Sequence, residues 1–487
     1  MAAAKRTQAI ARHMASSAAA TSSKQNADEA LVVFKSEGST RQYVLNRPSK
    51  YNALNEDMLN ILRPYVEEWS ESDLGKVLIG TGIGKAFCAG GDVVGVVNDA
   101  ASQETRPRAV EFFRREFELD YILAALPKPY ISVMDGITMG GGVGLASQAP
   151  FRIATEKTVF AMPETKIGYA PDVGASYFLS RVDGEVGTYL ALTGETITGR
   201  AVFEHGFATH YVPSRRIPAL LENLAGLDNP TVAQIQGLLE EAYLEKEPDE
   251  QSSPLTGKLR VALDSAFRHN HVPQILQSLE TIAGDHEDSS VREWAARTAE
   301  ILNLRSPTSL VVALTALRRG KSLNLLEALQ MELNFATAYC HEASPDFKTG
   351  VTSVLKTKEK TRPKWSPSTI AEVKEADIVD KFFDQYTPAL GTAPALAVSQ
   401  AFQSRNHTLP HPMRYALPTE AEIRRMVDGS HGQSGATTLT RDELIMKFKE
   451  LRNGKNGIRE KILEVVQRKC VEVGDSGSQQ KWLQWVQ

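Results

Sequence analysis

The chain has 487 residues, 42% hydrophobic and 23% charged, with a formal net charge of −4. That length suits two to four units of roughly 100–200 residues, and the mild acidity excludes binding to nucleic acid by overall charge, leaving only local patches. No apolar run reaches the roughly 18 residues that span a bilayer, and Cys88, Cys340 and Cys470 are too scattered for zinc spacing, so a reduced compartment and no metal site are expected.

Residues 1–27 are rich in Ala and Ser, contain Lys5, Arg6, Arg12 and Lys24, and precede the first acid, Asp28. Such a segment reads as a mitochondrial transit peptide, which puts the chain in the mitochondrial matrix; a disordered tail is the plainer alternative. Leu31–Phe34 and Arg41–Leu45 are short β-like runs around Ser36-Glu37-Gly38-Ser39, a hairpin pattern. Asn55 opens a helix whose Met58, Leu62, Tyr65, Val66 and Trp69 share one apolar face. Lys76–Ile79 is a strand running into a glycine-rich loop that ends in AFCAGGD (Ala86–Asp92). Residues 106–126 are helix-like and stop at Pro127-Lys128-Pro129, and Tyr130–Met134 is a buried strand. Phe151–Ala154 and Thr158–Ala161 are further strands, so residues 28–225 form an α/β unit. Residues 226–367 are almost continuously helical, with boundaries near Pro230, Pro254, Pro273 and Pro307. Residues 368–487 form an extension, loop-like over 390–440 and helical over Arg441–Cys470. That last stretch holds nine basic against five acidic residues, a net +4, and reads as a solvated helical face or as a basic face for nucleic acid.

The chemistry concentrates in DGITMGGGVGLASQ (Asp135–Gln148) and MPETKIGYAPDVG (Met162–Gly174). Glycines at a strand-to-helix junction let a ligand approach the backbone, where the first helical amides are unpaired and partly positive. Such amides suit an oxygen that develops negative charge in acyl transfer. Glu164 and Asp172 add two carboxylates about one element later. The triple glycine could also serve only to pack a helix tightly on a strand, and Glu164 could be a loop carboxylate or a helix cap.

The chain resembles the enoyl-CoA hydratase/isomerase (crotonase) superfamily and, within it, the 3-hydroxyisobutyryl-CoA hydrolases. The resemblance rests on NRPSKYNAL (Asn46–Leu54), FCAGGD (Phe87–Asp92), FFRREF (Phe112–Phe117), GITMGGGVGLA (Gly136–Ala146), RIATEKTVFAMPET (Arg152–Thr165), PDVGASYFLSR (Pro171–Arg181) and ALTGETITGR (Ala191–Arg200), and continues through SPTSL (Ser306–Leu310) and PKWSP (Pro363–Pro367). It implies an α/β fold: a crotonase-like spiral of ββα turns, followed by a helical region and, here, a C-terminal extension. It also implies an oxyanion hole from the amides of Gly91 and Gly141, a catalytic pair Glu164 and Asp172, and a substrate-binding role for Glu116. Hydratases of the superfamily carry a glutamate two residues after the triple glycine; Gly144 stands there, so ordinary hydration is not expected. The implied reaction is thioester hydrolysis of a short acyl-CoA, with no cofactor beyond the CoA of the substrate. Glu164 would either attack the carbonyl or activate water.

Asp135, Arg115, Asn334 and Thr349 depart from the pattern, standing where relatives often carry histidine, an acid, arginine and glutamate. The tail beyond PKWSP resembles that of fungal members of the group, one relative of which also serves in the mitochondrial small ribosomal subunit. That implies a second partner class, ribosomal proteins and rRNA. Trimers are common in the superfamily, so a homo-oligomer is a further alternative.

Overall fold

The computed structural model describes residues 30–246, 250, 253–435, 438–474 and 481–486. The transit-peptide expectation for 1–27 lies outside the described residues. After the hairpin of its first two strands, the chain lays down strands two at a time and sends the two members of each pair to different sheets. The strands are β1 (Val32–Glu37), β2 (Thr40–Leu45), β3 (Val77–Gly82), β4 (Ala86–Cys88), β5 (Tyr130–Met134), β6 (Ile137–Met139), β7 (Phe151–Ala154), β8 (Val159–Ala161), β9 (Ile197–Thr198) and β10 (His210–Tyr211). One sheet has the order β1-β2-β3-β5-β7-β10 and the other β4-β6-β8-β9. Thus β3/β4, β5/β6 and β7/β8 each contribute one strand to each sheet. All neighbours pair in parallel except β1 with β2 and β8 with β9. This is the expected spiral of ββα turns.

A parallel sheet with crossovers is buried on both faces, and its strands read as continuous apolar runs. Accordingly Val77, Ile79, Ile131, Val133, Phe151 and Ile153 face a small core closed by Ile217, Leu220, Leu224, Ile235 and Leu239, while Leu78, Tyr130 and Met134 face the main core. The helix Glu56–Glu71 starts where Asn55 accepts the Met58 amide, and it buries Met58, Leu62, Val66 and Trp69. Tyr65 stays largely exposed and stacks on Phe34 at 3.8 Å between ring centroids.

The helical part runs through Val232–Glu241, Gly257–Phe267, Val272–Asp285, Ser289–Leu304, Pro307–Gly320 and Leu325–Cys340. Pro273 and Pro307 sit in first turns, where a missing N–H costs nothing.

Two expectations for the extension need correction. The stretch 390–440 contains the helix Glu420–Val427, capped reciprocally by Thr419 and Glu422. The run Arg441–Cys470 is two helices, Arg441–Leu451 and Ile458–Lys469, broken at 452–457, and Cys470 already belongs to a strand. The solvated reading holds for Arg441, Lys449 and Arg459, which are exposed, but four of the nine cations are consumed inside the chain. Lys461 pairs with Asp183 at 2.7 Å, Lys455 with Glu240 at 2.9 Å and Arg452 with Glu422 at 2.7 Å. Arg468 pairs with Glu464 and with Glu420, which also meets Arg260. The Arg468 and Arg260 side chains are each 2% exposed. Further upstream the extension lies along the core: Ala397 N–H donates to Glu118, Tyr121 donates to the Phe402 carbonyl, and Arg152 donates to the Pro412 carbonyl.

Glu420 is therefore the anion between two buried guanidinium groups. Without Glu420, Arg468 keeps Glu464 and Arg260 keeps Asp264, so the cost is that of lost charge-assisted hydrogen bonds, about 1.5–3 kcal/mol. Glu420→Gln is expected to lower unfolding stability in urea by that order and to expose the extension first to limited proteolysis. A variant with wild-type midpoint and cleavage pattern would show that the network does not hold the extension.

Candidate active site

β4, β6 and β8 are adjacent and parallel, so their C-terminal ends lie side by side. The residues leaving those ends are Ala89-Gly90-Gly91, Gly140-Gly141 and Met162-Pro163-Glu164. Gly91, Gly141 and Glu164, distant in sequence, come together for that reason alone. Gly141 opens the helix Gly141–Ser147, so its N–H has no acceptor within that helix.

The three successive glycines have three different tasks. A Cβ at Gly140 would stand 2.9 Å from Glu164 Oε1, and its φ of +48° disfavours other residues. A Cβ at Gly141 would stand 2.1 Å from Glu116 Oε1 and 3.4 Å from the Gly91 amide nitrogen. A Cβ at Gly142 would stand 2.1 Å from the Cys88 carbonyl oxygen. The plain packing explanation is therefore correct for Gly142, whereas Gly140 and Gly141 make room for carboxylates.

Glu116 projects inward from the helix Arg106–Ala124 and is 2% exposed; Glu164 is 7% and Asp172 5% exposed. All five residues singled out from the sequence thus lie in one region. Glu116 Oε1 and Glu164 Oε2 are buried without a hydrogen-bond partner, whereas Asp172 Oδ2 accepts from Tyr169 Oη at 3.0 Å. Tyr169 is itself fixed among Phe113, Tyr339 and Phe347, with centroids 4.7–5.5 Å away. Burial disfavours charge and raises carboxyl pKa values. It pushes Glu164 up to about 8, although a backbone hydrogen bond and Lys166 pull the other way. Glu116 is raised by burial and then by Glu164; Asp172 is raised by burial, then by Glu116, Glu164 and Glu332.

Two acids escaped the sequence reading. Glu332, on the helix Leu325–Cys340, accepts the Gly174 N–H at 2.6 Å, the Ser176 N–H at 2.9 Å and the Ser176 hydroxyl at 2.5 Å. It clamps the segment after Asp172, where Val173 holds a φ of +56°. A β-branched residue in that region is strained and persists only when its surroundings enforce it. Asp120 lies one helical turn beyond Glu116 and is completely buried. The i, i+4 spacing of Glu116 and Asp120 was the available signal. Gly144 explains itself here: a Cβ would stand 2.7 Å from Asp120 Oδ2 and 2.6 Å from Val173 Cβ.

Three of the four departures from the pattern make contacts elsewhere, and Thr349 lies in the helix Asp346–Gly350. Arg115 reaches away to Glu111, Glu56 and Asn60. Asp135 accepts from Thr155 and Ser214, bracing loops. Asn334 sits beside Gln330, which ties the helix to Pro394 and Leu396 of the extension.

Among known proteins, the chain is 38% identical over 450 residues to the small ribosomal subunit protein mS47 of Neurospora crassa, covering 90% of this chain and 85% of that protein. It is 39% identical over 352 residues to human mitochondrial 3-hydroxyisobutyryl-CoA hydrolase, covering 72% and 88%. Among solved structures, a carnitinyl-CoA dehydratase from Mycobacterium thermoresistibile aligns with a TM-score of 0.64 at 33% identity, over 72% of this chain and 96% of the other. An enoyl-CoA hydratase from Rhodobacter sphaeroides aligns with a TM-score of 0.63 at 28% identity, over 76% and 100%.

The burial of Glu164 has a measurable consequence. Its carboxyl holds a proton in the folded chain up to about pH 8, against 4.5 for the free group. Between those values the folded state binds more protons, so its contribution to stability is complete below 4.5 and is lost as pH rises through 8. Glu164→Gln cannot ionise, so its melting temperature should gain on the wild type as pH rises across that window. A difference independent of pH would show that Glu164 is not a buried, protonated acid.

A family model described as enoyl-CoA hydratase/isomerase matches residues 40–383, and with the spiral fold and these relatives it shows that the chain belongs to the enoyl-CoA hydratase/isomerase family.

Proposed function

We propose that the chain hydrolyses a short-chain acyl-CoA thioester, 3-hydroxyisobutyryl-CoA, to 3-hydroxyisobutyrate and CoA in valine catabolism in the mitochondrial matrix. The observation that carries this reading is the meeting of Gly91, Gly141 and Glu164 at three neighbouring strand ends, with Asp172 facing them and no carboxylate on Gly144. The human relative of that name supports the choice of acyl group.

In this reading the N–H groups of Gly91 and Gly141 receive the thioester oxygen, which becomes an oxyanion as the carbonyl carbon turns tetrahedral. Each such donor is worth about 2.7–4 kcal/mol in the transition state. Glu164, acting from the ionised fraction that a pKa pushed up to about 8 leaves near neutral pH, either adds to the carbonyl carbon, giving an anhydride that water then opens, or takes a proton from water as the water adds. In both routes the C–S bond breaks as the oxyanion collapses, and the CoA sulfur leaves and takes up a proton. Asp172, oriented by Tyr169, positions the water or the substrate hydroxyl, and Glu116 binds the substrate. No separate cofactor enters the chemistry; CoA arrives with the substrate.

A second reading is favoured by the length of the match to the Neurospora protein. A match over 90% of the chain must enter the extension beyond residue 367. We therefore propose that the chain also associates with the mitochondrial small ribosomal subunit, through the extension as docked on the core.

Glu164→Gln and Asp172→Asn should each lower hydrolysis of 3-hydroxyisobutyryl-CoA by about 10²–10⁴-fold. Normal turnover by both variants would end the hydrolase reading. A single turnover in ¹⁸O-water identifies direct attack when the anhydride opens at the glutamyl carbonyl: label then appears on Glu164 and the product carries a Glu164 oxygen, whereas direct addition of water labels only the product. For the second role, sucrose-gradient sedimentation of a mitochondrial lysate should find the chain in the small-subunit peak; an exclusively free pool would refute it.

A further inference from the structure

Asp120 is the charged-type side chain for which the proposed chemistry has no use, and its surroundings are unusual. It is 0% exposed, and neither carboxyl oxygen has a hydrogen-bond partner. Its oxygens lie over Gly144, 2.7 and 3.0 Å from where a Cβ would stand, and Val173, the neighbour of Asp172, closes the same space. The groups facing it come from every element around it. They are Glu116 on its own helix, Asp172 on the following loop, Glu332 on the helix Leu325–Cys340, Tyr43 on β2, Tyr130 on β5 and Cys88 on β4. None of the charged groups acting on it is a cation.

Glu332 has three donors and is satisfied as an anion. Asp172 has one donor. Asp120 has none, and a carboxylate with neither countercharge nor donor in a dry interior carries an uncompensated desolvation cost. Like charges this close cannot all be present together. All three are held up by burial, and Asp120, the one with no donor, is the last of them to lose its proton as pH rises.

Resting on the acyl-transfer reading of this site, we propose that Asp120 is a positioning residue that acts through Glu116 and Asp172. Its neutral carboxyl fills the space above Gly144, and those two acids can carry charge only while Asp120 keeps its proton. As pH rises and Asp120 ionises, its charge opposes theirs and the site loses its working arrangement. The three acids titrate as a set rather than singly.

Asp120→Asn keeps the shape of the neutral acid and cannot ionise. The full chain and this variant are compared by infrared titration with ¹³C-labelled aspartate, which separates aspartic from glutamic acid bands and needs no turnover. The wild type should show more protonated aspartic acid absorption at neutral pH than the variant, by one carboxyl, because Asp172 is also raised by burial. In the variant the remaining carboxyls should finish ionising at a pH lower by about one unit or more. Rate profiles against pH give the second readout. The variant should hydrolyse within about twofold of the wild type at neutral pH and should lose the alkaline fall of the wild type.

Identical aspartic acid bands in the two proteins, or superimposable alkaline limbs, would overturn the proposal. Should Asp120→Asn not fold, the wild-type spectrum alone decides: no protonated aspartic acid at neutral pH overturns it. If the wild type shows no hydrolysis but the variant's band is weaker and the titration shifts, the proposal for Asp120 stands and the acyl-transfer reading falls.

Discussion

At Gly140–Gly142 three backbone positions are approached from three directions within distances that no side chain tolerates: by Glu164, by Glu116 and by the Cys88 carbonyl. The rest of the site depends on this close approach. A methyl group at Gly141 would collide with Glu116 and stand against the Gly91 amide nitrogen. The triple glycine is thus less a flexible loop than a surface without side chains. It lets two strand ends and two acids share one small volume.

That volume is dry, acidic and nearly without countercharge. Glu116, Glu164 and Asp172 are all buried, and burial is the first cause that raises each of them. The fold compensates by geometry rather than by salt bridges. Glu332 spends three hydrogen bonds on the segment after Asp172, and the strained φ of Val173 marks the conformation that this clamp enforces. Acids held this way keep their protons to higher pH than free carboxyls do.

The extension obeys the opposite rule. Its buried cations are matched: Lys455, Lys461 and Arg468 each meet an acid, and Glu420 bridges helices that lie some 160 and 48 residues away in sequence, while Lys449 and Arg459 stay exposed. What reads as a positive helix is a fastening. The surface that the extension offers to any partner is therefore set by how it docks on the core, not by the charge of its helices taken alone.

Much of this was legible in the residues. Periodicity placed the helix Glu56–Glu71 and the apolar strands, prolines marked the helical boundaries, the triple glycine and the two acids Glu164 and Asp172 stood out by themselves, and the family resemblance added Gly91, Gly141 and Glu116. Local order suffices there, because strand and helix patterns and strand-to-helix junctions are short-range properties of a chain. Other features are decided only by elements meeting in space. Asp120 and Glu332 look like ordinary helical acids until their helices turn them inward, and Arg468 looks solvated until Glu420 arrives from another helix. Linear sequence carries the charge of such a residue but not its dielectric surroundings or its partner. Both come from tertiary packing, and they determine whether an acid holds a proton, clamps a loop or pairs with a cation.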